Sequence, residues 1–170
     1  MSYFFTSDEH YGHANIIKYT NRPFASVEEM DEHLILQHNA VVGLKDTVVH
    51  AGDFCWGGWA EAEAYQKRLN GSHIFLKGSH DKWLKHQEHH EIWEASFNDV
   101  YLVVCHYPMV VWPRSHYNSI QCYGHTHKDL ELPGKRIHIG VDGNGFTPLS
   151  LDEIRRKADE LGDNPNLVRR

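Results

Sequence analysis

Cysteine is scarce in this chain, a basic stripe is lacking, and so are long apolar runs. Cys55, Cys105 and Cys122 are few, odd in number and form no C-x-x-C pair, which favours reduced thiols over a disulfide framework. Cys105 and Cys122 lie in apolar runs and read as small buried residues, whereas Cys55 follows Asp53-Phe54 and has a metal-ligand role only as a lesser option. No apolar run approaches the length of a membrane span. Met1-Ser2-Tyr3 opens no basic stretch or signal-like core, so the expectation is a cytoplasmic protein with no membrane partner. Lys and Arg number 17 against 23 Asp and Glu, for a net charge of −6. The short basic groups Arg155-Arg156-Lys157 and Arg169-Arg170 form no stripe, which argues against tight duplex nucleic-acid binding. A small phosphorylated substrate stays compatible, because bound metals invert the local charge. There is no internal repeat, linker or low-complexity tract.

Histidine is what the chain has in excess, with 15 residues. Five short motifs carry much of it: Asp8-Glu9-His10, Gly52-Asp53, Gly78-Ser79-His80-Asp81, His106 before Tyr107-Pro108, and Gly124-His125-Thr126-His127. Each follows an apolar run that reads as a strand. One Asp-x-His pair arises often by chance, but carboxylates and imidazoles at successive strand ends do not. Asp and His together suit Zn, Mn, Fe or Ni. They outnumber the needs of one tetrahedral ion, so two metals are expected, a common arrangement for hydrolysing phosphate esters. His33, His38, His50, His73, His86, His89 and His90 fall outside these motifs and read as surface or supporting residues.

The pattern along the chain predicts a strand at Tyr3-Thr6, a helix over about Val27 to Val42, and a strand at Thr47-His50. Ser26 is the expected cap of that helix, with Glu29 reaching back. A helix over Trp59 to Leu69 and a strand over His73-Leu76 complete strand–helix–strand units of a parallel sheet, whose carboxyl ends carry sites. Val100 to Cys105, Ser119 to Tyr123 and Arg136 to Val141 are short strands with little helix between them, which suggests a second sheet packed on the first. Ser150-Leu151-Asp152-Glu153 opens a terminal helix to about Leu161. A single domain over 1–161 and a mobile tail over 162–170 are expected. Trp56, Trp59 and Trp112 read as packing residues, with stacking on a nucleobase as the alternative.

The order D-x-H, G-D, G-N-H-[DE], H, G-H-x-H resembles the calcineurin-like metallophosphoesterase family over about Phe4 to Gly140. Asp8 to His13 followed by Arg22-Pro23-Phe24 is similar to a compact bacterial and phage branch of it. The resemblance implies an α/β fold, a four-layer α/β/β/α sandwich of two mixed β-sheets flanked by helices, without a cap over the site. It implies two divalent ions, Mn²⁺ foremost, with Fe, Zn, Ni or Co as alternatives. Asp8, His10 and His127 would hold one ion, His106 and His125 the other, and Asp53 would bridge them. His80 would be the catalytic histidine, oriented by Asp81, and a metal-bound hydroxide the nucleophile. Ser79 stands where the family has Asn, which predicts weaker binding of the second ion. The branch resemblance places His13 and Arg22 near the substrate, Arg22 as a phosphate clamp. The implied function is hydrolysis of phosphomonoesters or phosphodiesters, with nucleotides and phosphoproteins among the open substrates. The competing function is a catalytically weakened metal-binding scaffold, which Ser79 favours and His80 opposes. A nuclease would need a basic groove that the composition lacks.

Overall fold

The computed structural model describes residues 1–168; Arg169 and Arg170 of the expected tail lie outside the described residues. Twelve regular elements run in the order β1 (Tyr3–Thr6), α1 (Ile16–Tyr19), α2 (Val27–Val41), β2 (Thr47–His50), α3 (Trp59–Gln66), β3 (Ser72–Phe75), β4 (Ile92–Phe97), β5 (Val100–Cys105), β6 (Ile120–Tyr123), β7 (Arg136–His138), β8 (Leu149–Ser150) and α4 (Leu151–Asp159). They form two four-stranded mixed sheets, β3-β2-β1-β8 and β4-β5-β6-β7, flanked by helices. In the first sheet β1, β2 and β3 are parallel and β8 is antiparallel to β1. In the second, β5, β6 and β7 are parallel and β4 is antiparallel to β5.

Burial explains the layering. Every residue of β2 is buried, as a parallel strand covered on both faces requires. Phe5, Val49, Leu102, Val104, Ile120 and Cys122 fill the space between the sheets, each stabilising by about 1.5–3 kcal/mol if its side chain is fully buried. Ile154 and Ala158 of α4 join that cluster. Met30, Leu34, Ala62, Phe54, Phe75 and Trp83 form a second cluster under α2 and α3. The outer face of β6 and β7 is covered by the loop after β5. Gln121 bonds Tyr107 O and Met109 N at 3.0 Å each, and Arg136 donates to Met109 O at 2.9 Å and Val110 O at 2.8 Å.

Several boundaries depart from the expected ones. The helix begun at Trp59 ends at Gln66, because Arg68 and Leu69 close back by tighter bonds to Tyr65 O and Gln66 O. The strand from Arg136 stops at His138, and Val141 starts a short 3₁₀ turn carrying Asp142. β4 was invisible in the sequence because it is an edge strand whose Ile92, Glu94 and Ser96 face outward. Glu29 reaches Ala25 N at 2.7 Å, one residue beyond Ser26. In the expected tail, Asn164 is buried, accepts from Lys135 N at 2.7 Å and donates to Ser119 O at 2.8 Å.

Five of the parallel strands, β1, β2, β3, β5 and β6, deliver the five motifs to one end of the two sheets. Hydrogen bonds sew the loops together there: Asp8 N to Gly52 O and His10 N to Asp53 O at 3.0 Å, and Gly124 N to His106 O at 3.0 Å.

Candidate metal centre

Two groups of donor atoms meet at that end. Asp8, His10 and His127 form one; Asp53, His106 and His125 form the other; within each group the atoms lie within 4.8 Å of one another. The groups share an edge at Asp53, whose Oδ2 is 3.8 Å from His10 Nε2 and 3.4 Å from His106 Nε2. Asp8, His10, Asp53, His125 and His127 all have positive φ, between 53° and 69°. Such backbone is costly for residues with a Cβ and clusters at functional sites. Glycine makes room: a Cβ at Gly78 would collide with the Asp53 carboxylate, and one at Gly124 with Ser7 and Asp8.

The donor set fits divalent cations. His10 Nε2 and His106 Nε2 are buried without a hydrogen-bond partner among the described residues. An orphaned buried nitrogen costs about 1–3 kcal/mol unless something else binds it. His106 Nδ1 lies 2.8 Å from Ala51 O, so Nδ1 carries the proton and the Nε2 lone pair faces inward. Burial pushes His10 down to about 3, which keeps its ring neutral. Burial raises Asp8 to about 6, a value for the metal-free site. Burial would also raise Asp53, but His106 and the His80 N–H outweigh it and hold this carboxylate below the usual range.

Behind the donors lies support that the sequence did not disclose. His127 Nδ1 is 2.8 Å from Asp142 Oδ2, and Arg22 grips the same carboxylate through Nε at 2.8 Å and NH2 at 2.9 Å. Arg22 also donates to Asp8 O at 2.7 Å and Glu9 O at 2.9 Å. Its side chain is fully buried, so the expected phosphate clamp is corrected: the guanidinium is committed inside the protein. Asp142 was missed because only contact across 120 residues links it to Arg22. Glu9, between two donors, was missed too. Its Oε1 is 2.5 Å from His50 Nδ1, and burial pushes Glu9 up to about 8, so the carboxyl keeps its proton and donates it to a neutral His50.

The expected role of Asp81 is also corrected. Its oxygens accept from Asp53 N at 2.6 Å, Phe54 N at 3.0 Å, Gly78 N at 2.9 Å and Trp83 Nε1 at 2.9 Å. None of these bonds reaches the His80 ring; they fasten the Asp53 loop to the Gly78 loop. Ser79 Oγ donates to Asp53 Oδ2 at 2.9 Å. The exposed His80 belongs to neither donor group; its N–H donates to Asp53 Oδ1 at 2.8 Å and its ring centre lies 5.6 Å from that of His10. His13 Nδ1 is 3.4 Å from His10 Nδ1, and its ring stacks on Trp56 at 4.1 Å. Trp56 is 49% exposed, against the expectation of packing, whereas Trp112 is buried. Cys55 is buried outside both donor groups, with its thiol pushed up to about 12 by burial, so the ligand option falls away. His10, His13, Trp56, His80 and His127 line one cleft of about 890 Å³.

No protein-family model matches the chain. It is 34% identical over 157 residues to the uncharacterized protein MJ1445 of Methanocaldococcus jannaschii, covering 87% of this chain and 86% of that protein. It is 26% identical over 189 residues to the Gene 66 protein of Mycobacterium phage L5, covering 88% and 90%. Among solved structures, the protein of unknown function AQ665 from Aquifex aeolicus superposes with a TM-score of 0.73 at 24% identity, over 91% of this chain and 98% of that one. The chain therefore belongs to one family with MJ1445 and shares its fold with AQ665.

Proposed function

We propose that the protein hydrolyses a phosphomonoester or phosphodiester with the help of two divalent metal ions. The observation that carries this reading is the pair of three-residue donor groups joined at Asp53, with an orphaned imidazole nitrogen aimed inward from each. The nitrogen and oxygen donors, without sulfur, suit Mn²⁺ first and Fe, Zn, Ni or Co as alternatives. Bound ions would supply charge neutralisation for the phosphoryl oxygens and acidify water for attack.

The remaining roles fall to the chain's own residues. Asp8, His10 and His127 would hold one ion, His106 and His125 the other, with the Asp53 carboxylate between them. His80 stands free of both groups in the open cleft, where its imidazole can protonate a leaving oxygen or steady phosphoryl charge. Arg22 and Asp142 orient His127, and Asp81 fixes the Asp53 loop. No helix among the described residues is long and apolar enough to cross a membrane. Three buried free thiols are in keeping with a reducing, cytoplasmic setting.

Ser79 favours a second reading, a metal-binding scaffold with weakened catalysis. Its hydroxyl donates to the Asp53 carboxylate at 2.9 Å, and a neutral serine hydroxyl is a poorer metal ligand than the amide oxygen of Asn. The discriminating experiment is hydrolysis of an aryl phosphomonoester and an aryl phosphodiester with added Mn²⁺. Turnover abolished by a chelator supports the enzyme; metal binding without turnover supports the scaffold.

A further inference from the structure

The cleft beside the first donor group has walls that chemistry at phosphorus does not require. Its volume of about 890 Å³ lies in the range of sites that enclose a whole organic ligand. His10 and His127 line it but His106 and His125 do not, so it opens to one side of the metal pair. The walls there are two large aromatic rings, Trp56 and Tyr19, with Ile16 between polar groups.

These aromatics are exposed, at 49% for Trp56 and 72% for Tyr19. Trp56 is nevertheless held in place: its ring stacks within 7° of parallel on the buried His13, on a backbone whose N–H donates to Tyr11 O at 2.8 Å. A fixed, solvent-facing ring is a ready stacking surface, with little ordering cost left for binding. The Asn15 side chain makes no capping bond to the helix it precedes, which leaves its amide available to the edge of a bound ring. Lys128 is the one lysine or arginine lining the cleft, and Arg22 is locked behind the donors. That charge suits an uncharged ring system and would leave a polyphosphate chain unneutralised.

We propose that this cleft binds the nucleoside portion of a mononucleotide ester, with its base against Trp56 and Tyr19 and its phosphate on the metal pair. The placement of the phosphate rests on the phosphoesterase reading; the binding of the base does not. Two measurements separate them. The first is calorimetric binding of adenosine, which has no phosphate, to metal-free protein. Adenosine binds the parent, and Trp56→Ala weakens it by roughly 5- to 150-fold, the range for one base–aromatic stack. Tyr19→Ala weakens it in the same direction, and its exposed position keeps that variant folded if Trp56→Ala is not. The second is the ratio of kcat/KM for adenosine monophosphate and its cyclic diester to that for glycerol phosphate, with Mn²⁺. The ratio stands well above one in the parent and falls in both variants. Failure of adenosine to bind, with glycerol phosphate hydrolysed as well as the nucleotides, overturns the nucleoside proposal and leaves the phosphoesterase reading intact. Adenosine binding that depends on Trp56 and Tyr19, with no ester hydrolysed at any Mn²⁺ level, supports the nucleoside site and overturns the phosphoesterase reading.

Discussion

Arg22 holds Asp142 with two parallel hydrogen bonds, at 2.8 and 2.9 Å, across 120 residues of sequence. The pair decides which nitrogen of His127 faces the site. The Asp142 carboxylate accepts a hydrogen bond from the Nδ1–H, which leaves the Nε2 lone pair for a cation.

Replacing Asp142 with Asn removes the charge that fixes this tautomer. Metal affinity at the Asp8–His10–His127 group should fall by roughly 10- to 100-fold, the range for a partner standing behind a ligand. Titration of Mn²⁺ into both proteins measures it. Arg22→Met should instead cost stability, about 3–5 kcal/mol, because it strands a buried carboxylate. Lysine should not rescue it, since one ammonium cannot reproduce the paired contact. Denaturant unfolding of the metal-free forms checks both statements.

His80→Ala should separate chemistry from coordination. The ring belongs to neither donor group, so metal content should stay near the parent value. Turnover should fall by roughly 10²–10⁴, the range for a general acid. Loss of an ion in this variant would place His80 among the ligands.

The positions of Asp8, Asp53, His106, His125 and His127 were legible because each motif directly follows an apolar run, and strand ends are where such sheets gather their sites. The two-sheet fold was legible because the short strands after Val100 have little helix between them. What stayed hidden depends on contacts without a sequence signal. Adjacency suggested that Asp81 serves His80, but a carboxylate there is worth more bonding three backbone N–H groups of the neighbouring loops. The sequence suggested that Arg22 faces substrate, because nothing in a residue's type records that its charge is already matched by Asp142. Trp56 was expected inside on composition alone, yet its ring forms a wall of the cleft.

Ser79→Asn should tighten the ion held by Asp53, His106 and His125. The amide oxygen would add a donor where the serine hydroxyl now bonds Asp53, and the position is exposed enough for the larger side chain. Activity should rise at limiting Mn²⁺, and the gap between the forms should close at excess by mass action. Equal titration curves would make Ser79 a neutral divergence.

Stability should fall in mild acid through histidines outside the site. Burial holds His38 at about 4 and His73 at about 3, against an ordinary 6.5. Both stay neutral in the fold while the unfolded chain takes up protons below 6.5, so stability is full above that pH and is lost as pH falls through 6.5 toward 4. Each group contributes at most about 1.4 kcal/mol per pH unit in that window. His38→Gln keeps a donor for Asn70 O without a titrating ring. The Tm of the metal-free variant should drop less than the parent's between about pH 7 and 4.5; parallel curves would exonerate His38.

The central claim is that two ions sharing Asp53 make this protein a phosphoesterase. The direct measurement is a Mn²⁺ titration of metal-free protein, following bound metal and hydrolysis of an aryl phosphate ester in the same samples. The account predicts two equivalents bound, with turnover rising as the second one fills and both ions weakened by Asp53→Asn. Saturation at one equivalent with full turnover, or two equivalents with none, would contradict it.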